Sequence, residues 1–279
     1  MPTPRQKLGV PPPWQRCEVD GIQLAFRQSG EGRDIICLHA IGHGGGDFDG
    51  VVEALALRYC VTVIDWPDHG WSSDDVKPPD VVRYGELLGA FLEKQQLSKV
   101  ILIGNSIGGG AAIHYAHRSP QNVRALVLAN PAGLIGMTPR NRRAVRVMER
   151  FFSAGQSRRW WFTPAFAIYY RLVLPKLPAR ARRRAIFAAR YEIAPLLMRA
   201  WRGFAEPSSD LRSAAAALSC PVLFAWAMGD RFVSYRLCRE AIDAVPNATI
   251  EKFDAGHTPF LETPQAFIES VTRFLGGLT

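Results

Sequence analysis

The chain has 279 residues, 48% of them hydrophobic and 21% charged, and its 34 basic and 25 acidic side chains leave a net charge of +9. This length and mix exclude a disordered chain, a collagen-like repeat and a disulfide-stapled miniprotein, and allow one large core with an insertion. The positive balance suits acidic partners in general without choosing among them. The proline-rich opening, with Pro11, Pro12 and Pro13 in a row, predicts an extended lead-in. Apolar runs then predict strands over residues 22–27, 34–39, 60–65, 100–105, 125–130, 222–226 and 249–253. Several run on without alternation, as strands buried on both faces do. Between them, residues 82–96, 107–118, 236–244 and 264–275 read as helices, with Pro120 and Pro246 closing the second and third. Strands alternating with helices predict an α/β domain built on a mainly parallel sheet.

One stretch breaks the alternation. Residues 134–205 contain no strand signal and hold 15 arginines and Lys176 against Glu149 and Glu192. That segment carries +14, so the rest of the chain carries −5. The basic character belongs to an insertion. The expected division is a core in two parts, residues 1–133 and 213–279, around an arginine-rich helical insertion at 134–212.

The five cysteines, Cys17, Cys37, Cys60, Cys220 and Cys238, form no CxxC pair. Their scatter predicts reduced thiols and a cytoplasmic protein. The first residues lack the apolar centre of a secretory signal. The longest uncharged stretch, 100–117, holds Asn105, Ser106, two histidines and four glycines, which a bilayer would not accept as a spanning helix. His114 and His117 stand three apart on a helix with no acidic third ligand, so no metal site is expected. The basic residues form no nucleic-acid reader motif, and no nucleic-acid partner is expected.

Catalytic chemistry is concentrated at strand ends. Gly104-Asn105-Ser106-Ile107-Gly108 is a G-x-S-x-G at a strand-to-helix junction. Such a turn pushes a serine oxygen out above the sheet, and the following helix offers its N–H groups to developing negative charge. Asp230 follows the strand predicted at 222–226, and His257 follows the one at 249–253. The order Ser106, Asp230, His257 predicts a nucleophile, an orienting acid and a general base.

With those residues in place, the chain resembles the capped α/β-hydrolases, a family of esterases, carbon–carbon bond hydrolases, lactonases and cofactor-independent haloperoxidases. Further matches are Ile36-Cys37-Leu38-His39-Ala40-Ile41, similar to the family's strand ending in His-Gly, and Asp65-Trp66-Pro67-Asp68-His69-Gly70-Trp71-Ser72, similar to its D-x-P-G-H-G-x-S stretch. Ala40 and Asp68 each replace a family glycine. The resemblance implies an α/β-hydrolase fold: a mainly parallel eight-stranded sheet flanked by helices, with a helical cap inserted after the sixth strand. It also implies an oxyanion hole from the backbone N–H groups of Ile41 and Ile107. His43-Gly44-Gly45-Gly46 resembles the HGGG of another esterase branch, but its histidine would come four residues late.

Serine at position 106 excludes the dehalogenase and epoxide-hydrolase branches, which carry aspartate there. Asn130 stands where some members place the acid, and an amide cannot replace a carboxylate. The leading expectation is hydrolysis of a carboxylic ester or thioester with an apolar acyl or aryl group, without cofactor or metal. Carbon–carbon bond hydrolysis, lactone hydrolysis, acyl transfer and a non-catalytic ligand receptor stay open; against the carbon–carbon branch, Thr258 stands where tryptophan is usual. His39, Trp160, Trp161 and Phe166 are candidate substrate-binding residues. The aromatic run they belong to also includes Phe162, Tyr169 and Tyr170, with Trp201 later. The arginine-rich surface suggests an acidic acyl carrier or CoA-type donor as partner.

Overall fold

A computed structural model describes residues 14–278; the proline-rich lead-in lies outside the described residues. In chain order the elements are β1 (Gln15–Val19), β2 (Ile22–Ser29), β3 (Arg33–Leu38), α1 (Asp49–Leu55), β4 (Tyr59–Asp65), α2 (Val81–Lys94), β5 (Val100–Asn105), α3 (Ile107–Arg118) and β6 (Val123–Ala129). Then come four helices without a strand: α4 (Pro139–Gln156), α5 (Phe162–Val173), α6 (Arg180–Ala188) and α7 (Arg190–Gly203). The chain closes with α8 (Arg212–Ala216), β7 (Val222–Ala227), α9 (Tyr235–Asp243), β8 (Ala248–Phe253), α10 (Pro259–Glu262) and α11 (Pro264–Gly276).

The described strands form one eight-stranded sheet in the order β1-β2-β4-β3-β5-β6-β7-β8. β1 and β2 pair antiparallel, as do β2 and β4; every other neighbour is parallel. The first hairpin turns at Asp20-Gly21, both with positive φ (48° and 74°), which is the backbone a two-residue Asp-Gly hairpin supplies. β1 carries no run in the sequence because Gln15, Arg16 and Glu18 are exposed and only Cys17 and Val19 are buried.

The central strands are apolar on both faces because helices cover both. Ile36 and Leu38 of β3 join a core with α2 and α3, whereas Ile35 and Cys37 join a second core with α1 and α11. The same alternation divides Leu102 from Ile101 and Ile103 in β5. All five cysteines are unpaired. α4 packs along α7, and both meet the larger core through Phe152, Leu196 and Leu197. Because β3, β5, β6, β7 and β8 run parallel, their carboxyl ends share one edge of the sheet, where open α/β sheets bind ligands.

Candidate active site

Ser106 occupies the single residue between β5 and α3, with φ 54° and ψ −119°. A side chain at positive φ costs free energy and persists only where its surroundings enforce it. Here the Ser106 N–H donates to the Ala129 carbonyl at 3.1 Å, and the Ser106 carbonyl accepts from Ala132 at 2.8 Å and Gly110 at 3.0 Å. Close packing explains the flanking glycines. A Cβ on Gly104 would lie 2.6 Å from the Gly108 carbonyl oxygen, and one on Gly108 would lie 2.3 Å from that of Leu38. Asn105 braces the turn from below, donating to the carbonyls of Ala129 (2.9 Å) and His257 (3.1 Å).

Asp230 sits just past β7 and is buried. Its Oδ1 accepts the N–H groups of Phe232 (2.8 Å) and Val233 (2.9 Å). Its Oδ2 accepts from Asn130 Nδ2 at 2.9 Å and lies 2.6 Å from Nδ1 of His257, which follows β8. With Nδ1 so engaged, the imidazole presents Nε2 as its other nitrogen. Burial alone would push the His257 pKa down; the Asp230 charge and hydrogen bond, with Glu262 farther off, outweigh it and hold the pKa above the ordinary histidine value. Glu262 is itself buried, and its Oε1 accepts the N–H groups of Gly256, His257 and Thr258 at 2.9, 3.2 and 3.3 Å. Its Oε2 accepts the Lys176 N–H at 3.2 Å, tying the His257 loop to the connection between α5 and α6.

The loop after β3 supplies Ile41. Its successor Gly42 donates to Nε2 of His69 at 2.8 Å, while Nδ1 of His69 meets the Pro67 carbonyl at the same distance. Among the described residues, neither Ile41 N–H nor Ile107 N–H has a hydrogen-bond acceptor. The Gly45 N–H, by contrast, is occupied by Oδ1 of Asp65 at 2.8 Å. Ala40 keeps a negative φ, so replacing the family glycine costs no backbone strain there. Asp68 does adopt a left-handed φ of 63°, which Asp tolerates better than most residues, and it meets Arg199 of α7 at 3.2 Å.

These loops open onto one cavity of about 670 Å³ that Ser106, His257, Ile41 and His43 line from the sheet side. Val145, Met148, Leu197, Trp201 and Phe204 wall it from the helical side, and Phe232 and Val233 from the loop after β7. The size and apolar walls suit a small organic ligand. Arg140, Arg231 and Arg236 also reach the lining, and no carboxylate pairs with them among the described residues.

The chain and its fold are matched by known proteins. The family described as alpha/beta hydrolase fold matches residues 35–264. The chain belongs to that family. The α/β-hydrolase is 30% identical over 259 residues to the pimeloyl-(acyl-carrier protein) methyl ester esterase of Xanthomonas campestris pv. campestris, a match covering 89% of this chain and 97% of that protein. Among solved structures, a thermophilic esterase from Thermogutta terrifontis superposes with a TM-score of 0.80 at 22% identity, covering 95% of this chain and 99% of that one. The enol-lactonase of Burkholderia xenovorans gives 0.78 at 21%, covering 95% and 100%. These two likenesses show the fold. This α/β-hydrolase is an enzyme with esterases among its relatives.

Four residues expected to touch substrate do not line the cavity. His39 is fully buried; its Nδ1 meets the Ala40 carbonyl at 2.8 Å, and its Nε2 accepts the Trp66 N–H at 3.0 Å. Burial pushes its pKa down to about 4, so the ring stays neutral as a clasp between β3 and β4. Phe166 is buried among Phe162 and Tyr170. Trp160 faces outward, and Trp161 is partly exposed beside the Phe151 ring. Of the aromatic group, Tyr169, Tyr170 and Trp201 reach the cavity instead. Sequence reasoning also passed over Asn130 as a donor to Asp230, and His43, whose Nδ1 lies 2.6 Å from Asp47. Asp47 in turn pairs with Arg182 of α6. Asn130 was visible as an amide at an acid position; nothing in the sequence marked the Asp47–Arg182 pair.

Proposed function

We propose that this α/β-hydrolase cleaves a carboxylic ester or thioester with an apolar acyl or aryl group, through Ser106, His257 and Asp230. The observation that carries the reading is the 2.6 Å contact between Asp230 and His257 beside a cavity that Ser106 also lines. Nε2 of His257 takes the Ser106 hydroxyl proton as Oγ attacks the substrate carbonyl carbon. The carbonyl oxygen becomes an oxyanion and accepts the N–H groups of Ile41 and Ile107; one such donor is typically worth about 3 kcal/mol in the transition state. Collapse expels the alcohol or thiol, which leaves with the proton from His257. Water, deprotonated by the same imidazole, then releases the acid from the acyl-enzyme and restores Ser106. The chemistry requires neither metal nor organic cofactor.

Residues 134–212 act as a cap over a core formed by 1–133 and 213–279, and the apolar cap residues receive the acyl group. An acidic acyl carrier or CoA-type donor would meet the unpaired Arg140, Arg231 and Arg236 at the cavity. The relatives named as pimeloyl-(acyl-carrier protein) methyl ester esterases support that partner. The reading is of a cytoplasmic enzyme, in keeping with five unpaired cysteines.

Intact-mass analysis after a fluorophosphonate probe tests the reading, with Ser106→Ala alongside and an ester, thioester and lactone panel for turnover. One adduct on the native protein, absent from Ser106→Ala, together with multiple turnovers of an apolar ester, is expected. An adduct that survives Ser106→Ala removes the nucleophile. Labelling without turnover would point to a ligand receptor with an idle triad. For the partner, added salt should lower kcat/KM for carrier-linked substrates and leave neutral esters unchanged.

A further inference from the structure

α5 presents apolar side chains on two opposite faces, and the protein covers one fully and the other only at Trp161, which sits 6.2 Å from the Phe151 ring. Phe162, Phe166, Tyr170 and Val173 are buried against the core. The opposite face, read at helical spacing from the residue that opens the helix, is Trp161, Pro164 and Ile168, followed by Arg171. Trp161 is 38% exposed and Ile168 61%. Trp160, immediately before, is 87% exposed, and Leu177, beyond the helix's end, is 77% exposed. Surface helices ordinarily turn polar residues to water, and a contiguous exposed apolar face marks an interaction site. None of these four residues lines the cavity, so substrate contact does not explain them.

The charge around this face is mainly positive, the exception being Asp254, which is paired with Lys176 beside Leu177 at 2.6 Å. Arg158, Arg159, Arg171, Arg180 and Arg184 are exposed, and none pairs with a carboxylate among the described residues. Arg158 lies over the Tyr191 ring at 4.8 Å, with its charge still free for an anion. Across residues 134–205 the acids are Glu149 and Glu192, and Glu149 is taken by Arg202. Exposed indole and aliphatic groups framed by unpaired guanidinium groups fit a surface that offers both anions and a shallow apolar layer.

We propose that the outward face of α5, with Trp160, Trp161, Ile168 and Leu177, is a docking surface for an anionic lipid bilayer. Indole rings settle at the headgroup level, aliphatic side chains reach the acyl boundary, and arginines meet the lipid phosphates. The contact lies in the membrane plane, since no described helix is long and apolar enough to cross a membrane. A second copy of the chain is a poorer occupant: a two-fold contact through this face would set arginines against arginines. An acidic protein would match the charge, but it would not account for the exposed indole and aliphatic groups on α5 and at its two ends. The carrier contact proposed above uses another place. Arg140 stands at the start of α4 and Trp160 beyond its end, and the 18 residues between the helix's ends span roughly 27 Å at the usual rise.

Vesicle flotation with the full chain tests this. Vesicles of phosphatidylcholine alone are compared with vesicles containing phosphatidylglycerol as well, at low and high salt, with tryptophan emission recorded. Expected are binding to the anionic vesicles, a blue shift on binding, and loss of binding at high salt. The double variant Trp160→Ser, Ile168→Ser should bind about ten-fold more weakly or less, with hydrolysis of a soluble ester unchanged. Arg158→Gln with Arg159→Gln should weaken binding and flatten the salt dependence. Ser106→Ala should bind as the native chain does, so failure of the catalytic reading and failure of this one are separable. Any of four results overturns the proposal: no binding at low salt, equal binding to neutral vesicles, binding unaffected by the double variant, or a solution dimer that the double variant dissociates.

Discussion

Nδ2 of Asn130 donates to Oδ2 of Asp230 at 2.9 Å, and that same oxygen lies 2.6 Å from Nδ1 of His257. The other end of the amide accepts the Ala227 N–H at 2.8 Å, so one side chain joins the end of β6 to the end of β7 and aims the carboxylate. Asn130→Ala removes a hydrogen bond to a charged group, worth about 1.5–3 kcal/mol. In the catalytic reading that lowers kcat/KM about 10- to 100-fold. Asn130→Asp keeps the shape and sets a second carboxylate against the first, so the acid inflection of the kcat/KM profile should also move upward. Steady-state kinetics across pH decide the matter. A loss below about three-fold with an unmoved profile would leave Asn130 as a fold residue alone.

The strain at Ser106 gives a stability test independent of substrate. Both Ser106→Ala and Ser106→Gly delete the hydroxyl, but only alanine keeps a Cβ at φ 54°. A left-handed backbone costs a non-glycine residue about 1–2 kcal/mol, and glycine's extra unfolded-state freedom returns about half of that. Ser106→Gly should therefore be more stable than Ser106→Ala by about 1 kcal/mol, or roughly 2 °C in Tm by calorimetry. Equal melting temperatures would show that the turn carries no such strain.

The pH profile follows from His257. Burial disfavours its charged form, yet the Asp230 charge and hydrogen bond win and raise its pKa. In the catalytic reading the neutral imidazole is the base, so activity should fall on the acid side with an inflection above the usual 6.5. Glu262→Gln removes the lesser negative charge while its amide oxygen can still accept the N–H groups of Gly256, His257 and Thr258. The inflection should then move down. The same raised pKa stabilises the folded state fully below the unfolded value of 6.5, and that contribution fades as pH rises through the folded value. An unmoved inflection would leave Glu262 as a loop latch only.

The sheet was legible because its central strands are buried on both faces and read as uninterrupted apolar runs, as in Val100–Asn105 and Val222–Ala227. β1 was not, because an edge strand with three exposed polar residues has no such run. The loops bearing Ser106, Asp230 and His257 were legible from glycine-bounded motifs after strands. What those residues touch was less so. The Asn130–Asp230 bond spans 100 residues, and the Asp47–Arg182 pair joins the loop after β3 to α6. The aromatic run around α5 shows why cavity walls resist sequence reading. Phe166 turns to the core, Tyr169 to the cavity and Ile168 to solvent, and only the packing of the helices decides which is which.

Arg182 offers the test of how α6 is held to the loop after β3. Its guanidinium pairs with Asp47, which is buried and also meets His43 at 2.6 Å. Burial alone would raise the Asp47 pKa; Arg182 first, then His43, outweigh it and hold it below 3.8. The pair therefore stabilises the fold above the unfolded value of 3.8, and its contribution is lost as pH falls through the lower folded value. Removing one partner of a buried ion pair strands the other, at a cost of about 3 kcal/mol. Arg182→Leu should lose about that much in urea unfolding at neutral pH, and the gap to the native chain should narrow below pH 4, where the stranded carboxyl is neutral. Since His43 lines the cavity, KM for an apolar ester should rise as well. A stability gap that stays constant with pH would mean that Arg182 acts through packing of its stem rather than through the charge on Asp47.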